Sequence, residues 1–162
     1  MNFLSKYQLN LQDGSQDFFS LNADVAAYYT FYSPILISLA TRVGFGRNYG
    51  NYEFFQAQKL GRRDNLRGYR AERFAGDAMF YHNTEIRIPL IKIYNRVIPF
   101  RTGLLAYMDQ GCVWYAPENS SKWLRGYGAG IMLSPLSVAV LTATYNWSEE
   151  FNIFEIKFGF FF

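Results

Sequence analysis

The chain has 162 residues, a net charge of +3, 20% aromatic residues and only 18% charged residues. A high apolar content without charge runs excludes a disordered chain, and the single cysteine, Cys112, excludes a disulfide scaffold. No window approaches the roughly 18 consecutive apolar residues of a membrane helix, so what remains is a β-rich unit, soluble or a transmembrane barrel.

Taken in chain order, the first expected strand is the weakest, at about 2–12, with Phe3, Leu4, Tyr7, Leu9 and Leu11 as its apolar markers. The second spans 17–32: Phe19, Leu21, Ala23, Val25, Ala27, Tyr29 and Phe31 alternate with Ser20, Asn22, Asp24 and Thr30. The third spans 34–47, where Ile35, Ile37, Leu39, Val43 and Phe45 alternate with Ser38, Ala40, Arg42 and Gly44. The stretch 47–77 follows, rich in Gly and Arg and without alternation; a loop that long is functional or disordered. Alternation resumes at 78–90, with Glu85 and Arg87 on the polar parity, and at 96–114, with Tyr107, Asp109 and Gly111 on one face. Residues 122–133 are glycine-rich and ambiguous in facing; Gly126, Gly128 and Gly130 share one parity and predict a bend or a close approach to the loop. Strands at 136–147 and 151–162 complete the set, the last with Phe154, Ile156, Phe158, Phe160 and Phe162 on one face.

Most of these strands run about 10 residues or more, against about five or six in soluble proteins, and a tilted membrane strand needs about 9–11. Apolar-out, polar-in alternation at that length is the pattern of an outer-membrane barrel. Aromatic residues near the strand ends (Tyr28, Tyr29, Phe31 and Tyr32; Tyr94; Trp114 and Tyr115; Trp123; Tyr145 and Trp147) suit the interfacial girdles of such a barrel.

The long loop carries Arg67-Gly68-Tyr69; the next strand carries Glu85; the strand after it carries Tyr107, Asp109 and Gly111; the chain closes on Phe158, Phe160 and Phe162. In this order the residues resemble the outer membrane protein 85 superfamily, the bacterial surface-antigen or BamA/TamA-like barrels. The resemblance covers about 34–162. Arg62 departs from it, standing where many members have a second glycine before the motif.

The resemblance implies an all-β fold: an antiparallel transmembrane β-barrel whose eight strands here are the C-terminal half of a sixteen-stranded barrel, a single segment over 1–162 with its motif loop at 47–77. It implies a loop latch made by Arg67, Gly68, Tyr69, Glu85 and Asp109, and an assembly signal in Phe158, Phe160 and Phe162. It implies a location in the bacterial outer membrane and a role in protein insertion or transport across it. The partners implied are outer-membrane lipids, a polypeptide substrate or fused passenger domain, and the barrel assembly machinery. The alternative is a small structural or passive-pore barrel; a soluble barrel for an apolar ligand is more remote.

The residues alone allow the same pairing. An arginine cannot rest against lipid, and Arg67 folded inward reaches Asp109 bidentately with Glu85 nearby. Other readings stand beside it: Arg67 as an exposed loop arginine, Asp109 as a carboxylate facing Arg101, and Glu85 with Arg87 as a local pair. His82, the one histidine, falls on the apolar parity and reads as a girdle or loop-proximal residue, since no second His or nearby Cys accompanies it, and Cys112 reads as a small hydrophobe. The chain shows no catalytic set, no cofactor motif and no nucleic-acid patch, so the expectation is a protein that is not an enzyme and holds no metal.

The first residues, Met1 to Tyr7, do not have the pattern of a leader peptide, and a lumen built from eight strands holds only packed side chains. A 30-residue loop with several arginines does not fit there. The expectation is therefore a fragment that pairs with a missing N-terminal barrel half.

Overall fold

The computed structural model describes residues 2–8, 18–61, 65–93, 100–115, 122–135, 139–150 and 152–159. Eight long strands form one antiparallel meander: β1 (Asn2–Gln8), β2 (Phe18–Tyr32), β3 (Leu36–Gly50), β6 (Ala78–Ile93), β7 (Phe100–Trp114), β8 (Leu124–Pro135), β9 (Leu141–Ser148) and β10 (Asn152–Phe158). Two short strands, β4 (Gln58–Leu60) and β5 (Phe74–Gly76), pair with each other inside the connection from β3 to β6. Every long strand pairs with its chain neighbour, and among the described residues no ladder joins β1 to β10.

The strands follow the period-two pattern, with ends that differ from expectation in specific ways. β3 continues to Gly50 because it stays paired with β2 up to Phe18. β6 continues past Pro89, where the register against β7 shifts by one residue. Proline lacks the donor that a regular ladder needs, so a bulge there lets the strand go on. The remainder of the first expected strand (9–12), residues 96–99 and 136–138, and the end of the last strand, with Phe160 and Phe162, lie outside the described residues. So do Arg62 and Tyr94.

Alternation divides the sheet into two faces. The inner face carries Ser20, Ala40, Asn83, Glu85, Leu105, Tyr107, Asp109, Thr142, Thr144 and Asn146, all buried. The outer face carries Val25, Val43, Phe45, Ile86, Leu104, Met108, Tyr127, Ile131, Tyr145, Phe154 and Ile156, all exposed. A sheet with polar residues buried and aliphatic residues exposed reverses the usual arrangement of a protein in water. Tyr145 packs edge-on to Trp147 at 5.0 Å on the outer face.

What buries the inner face is the connection between β3 and β6. Its residues Leu60, Leu66 and Tyr69 pack against Tyr81 and Leu124 of the sheet, with Phe74, Met79 and Val113 around them. The 47–77 stretch is thus not structureless. It contains the β4–β5 hairpin and a 3-10 turn at Phe54–Gln56, and it supplies half of the core.

Candidate functional site: an arginine latch on the inner face

Local structure in the loop sets up the site. Asn65 ties back to the end of β4: its Oδ1 accepts from the Gly61 amide at 2.9 Å, and its Nδ2 donates to the Lys59 carbonyl at 3.0 Å. The Leu66 amide donates to the Gly61 carbonyl at 3.2 Å. Asn83 on β6 then donates to the Asn65 carbonyl at 2.8 Å, tying the loop to the sheet. Leu66 and Tyr69 enter the core, and Arg67 between them points at the wall.

Two glycines make this approach possible. Gly68 has φ +89°, a left-handed conformation that glycine adopts without the Cβ penalty. Gly126 on β8 faces the Arg67 carbonyl so closely that a Cβ would stand 2.1 Å from that oxygen. Gly128, the next on that parity, leaves room for the Tyr107 ring. Of the alternating glycines of β8, Gly126 thus admits the loop, whereas Gly128 makes room for Tyr107 and Gly130 lies against the Ala143 carbonyl of β9.

Arg67 meets two carboxylates. Its Nε donates to Asp109 Oδ2 at 2.7 Å and its Nη2 to Asp109 Oδ1 at 2.8 Å, a bidentate fork. Its backbone amide also donates to Asp109 Oδ2, at 3.0 Å. Its Nη1 donates to Glu85 Oε2. The other oxygen of Glu85 accepts from Arg87 Nε at 2.6 Å. The guanidinium carbon stands over the Tyr107 ring, 3.3 Å from its centroid. Tyr107 in turn donates to Asn146, whose Nδ2 donates to Glu155 Oε2 at 3.3 Å. Strands β6 and β7 thus contribute directly, β9 at one remove and β10 at two.

Burial makes these contacts strong. Asp109 is 0% exposed, Glu85 2% and Arg67 5%. Charges this deep are costly unless paired and hydrogen-bonded, and nearly every polar atom here is. The exception among the described residues is Asn83 Oδ1, buried without a partner.

Asp109 does not face Arg101, which lies eight residues along β7, roughly 27 Å away at the strand rise, and is exposed. Glu85 serves both Arg67 and Arg87. Tyr69 is fully buried; its hydroxyl donates to the Arg125 carbonyl at 3.0 Å, and burial pushes the phenol pKa up. His82 stands on the outer face, with its ring nitrogens near Thr41, Thr84 and Gln110. Cys112 is buried although its parity is outward, with Sγ 3.8 Å from the Val113 carbonyl. Phe158 is 82% exposed at the end of β10. Asn65, Asn83 and Asn146 belong to the cluster without having been singled out: asparagine on the polar parity of a strand, or in a loop, carries no distinguishing signal.

More bonds hold the loop at its margins. Gln58 Nε2 donates to Asn48 Oδ1 at 2.7 Å and to Ser20 Oγ at 3.0 Å. At the surface Arg73 of the loop pairs with Glu150 at 3.1 Å; outside the loop, Lys122 before β8 pairs with Glu149 after β9 at 2.7 Å. The Glu149 carboxylate raises the Lys122 pKa.

An antiparallel meander with an apolar exposed face, and a charged loop folded onto its polar face, defines a membrane β-sheet protein. The chain belongs to the Omp85 superfamily: the family model of the Omp85 superfamily domain matches residues 1–160. This is a family of the bacterial outer membrane, and the all-β fold agrees with that setting. No curated relative and no solved structure matches the chain.

Proposed function

We propose that these strands are the C-terminal half of an outer-membrane barrel that inserts polypeptides into the membrane or translocates them across it, and that Arg67 latches the long loop to the barrel wall. The observation that carries this reading is the buried fork from Arg67 to Asp109, with Glu85 on the third donor. A loop fixed on the inner face occupies space that a passive pore would leave to water. A device of this kind needs no chemical step, so the reading assigns no catalytic residue, cofactor or metal. Substrate polypeptide, a passenger domain and the assembly machinery are the partners it implies. Phe158, exposed at the end of β10, is a residue that such machinery would read.

The two edges of the sheet bear on the barrel. Unpaired strand edges are not tolerated in the hydrocarbon region, where each unsatisfied group costs several kcal/mol. In this reading β1 and β10 pair with further strands of the same barrel, not with each other.

The test is a charge reversal with rescue. In the full-length protein, Asp109→Arg is expected to abolish secretion or insertion activity and the heat-modifiable form on gels. Arg67→Asp combined with Asp109→Arg is expected to recover part of the folded form. Wild-type activity in Asp109→Arg would overturn the latch. A single-channel conductance that is large and unchanged by Arg67→Ala would favour the passive pore instead.

A further inference from the structure

One row of outer-face residues does not match the apolar surface around it. Strand register places Val43, His82, Gln110 and Arg125 side by side across β3, β6, β7 and β8. Gln110 Nε2 lies 3.2 Å from His82 Nδ1, and His82 Nε2 lies 3.0 Å from Thr41 Oγ1 and 3.2 Å from Thr84 Oγ1. The imidazole is therefore held on both nitrogens and fixes the Gln110 amide beside it. Arg125 is exposed, and its guanidinium has no ion-pair or hydrogen-bond partner among the described residues. On the loop side, Trp123 packs edge-on to Phe80 at 5.8 Å. On the other side, Met108 and Tyr127 face each other across the ladder. Val43, Phe80, His82, Gln110, Trp123 and Arg125 line a cleft of about 410 Å³.

We propose that this row binds the phosphate of an anionic lipid headgroup, in the leaflet on the long-loop side. The inference rests on the membrane reading of the outer face and adds to it a specific lipid site. A histidine, an amide and an arginine are expensive against hydrocarbon but suited to the headgroup level, where tryptophan and tyrosine also concentrate. The planar guanidinium of Arg125 matches two phosphate oxygens. The second N–H of the Gln110 amide, held by His82, adds a neutral donor. Val43, Phe80 and Trp123 form the apolar wall along which an acyl chain lies. A free phosphate would use the donors but not that wall, so the lipid is the occupant to which the geometry points.

The experiment reconstitutes the full-length protein in vesicles of phosphatidylcholine, with or without one third phosphatidylglycerol. Native mass spectrometry reads the ratio of the two lipids retained, and the heat-modifiable band is recorded on every sample. The wild type is expected to retain phosphatidylglycerol in preference. Arg125→Ala is expected to lower that preference about fivefold, the equivalent of one basic residue at an anionic surface. His82→Phe, which keeps an aromatic ring but releases Gln110, is expected to fall between the two. Arg47→Ala removes the same charge near the loop end but off the row, and is expected to leave the preference unchanged. The inference is overturned by equal preference in wild type and Arg125→Ala, by an equal fall in Arg47→Ala, or by millimolar inorganic phosphate displacing the lipid. If the folded band is present without any preference, the lipid site alone fails. If the band is absent from all vesicles, the membrane reading fails and this inference with it.

Discussion

At the residue scale, Arg67 is held by geometry that another cation cannot copy. Lysine in its place brings one charged head to a site built for a planar fork with contacts to two carboxylates and a ring. Arg67→Lys is therefore expected to destabilise the docked loop almost as much as Arg67→Ala. Removal of one partner from a buried pair costs about 3–5 kcal/mol, because the other charge is left alone. Asp109→Asn should show a loss of that size in the urea midpoint of the folded form, whereas replacing Arg67, Glu85 and Asp109 together by apolar residues should lose less. Additive losses in the triple variant would argue that the pairing itself, and not the stranded charge, dominates. The glycines give a sharper contrast. Gly126→Ala places a Cβ against the Arg67 carbonyl, a backbone atom that moves only if the loop does. Gly159→Ala meets only backbone strain, since φ is +92° and nothing lies within 4 Å. The first is expected to expose the loop to trypsin at Arg70; the second is expected to cost about 1–2 kcal/mol and leave the loop protected.

At the element scale, what could be read from the sequence was what repeats. Strands β2, β3, β6, β7 and β9 announce themselves because one face must be apolar and the other not, and the same parity puts Glu85 and Asp109 on the inner side. β8 stays ambiguous until the loop is seen, because its glycines are selected by the close approach of Arg67 and Tyr107 and carry no polarity of their own. β4 and β5 have three residues each, too few for any period to appear. Leu60 and Leu66 look like stray apolar residues in a polar loop, yet they are wholly buried and centre the core. Leu66→Ala is accordingly expected to cost about 2–5 kcal/mol, the range for a buried leucine. Limited proteolysis should then cut between β4 and β5 while the amides of β6 and β7 stay protected. Loss of protection across the whole sheet would mean that the loop and the sheet unfold together and not in sequence.

At the scale of the whole molecule, the sheet is a layer with the loop on one face and the membrane medium on the other, and its two edges are the remaining question. Arg73–Glu150 joins the loop to the rim and Lys122–Glu149 ties two rim connections to each other; both pairs are exposed and screened by salt, so Arg73–Glu150 contributes about 0–1 kcal/mol. The buried latch is shielded from that screening. Stability of the docked loop should then change little with salt, which separates the two sets of charges. The edges are set by backbone groups instead. β10 pairs with β9 from Asn152 to Phe158, and the amides that alternate with that ladder point away from it. Exchange of those amides reads directly whether anything covers them. With these strands alone in detergent, half of the β10 amides are expected to exchange within minutes, while the centre of β7, paired on both sides, persists far longer. In the full-length barrel the same β10 amides should be protected. Uniform protection of β10 with these strands alone would show β1 and β10 closing on each other. A barrel of eight strands has no room for a loop that fills the inner face, so such closure would have to expel the loop and break the contact of Arg67 with Asp109.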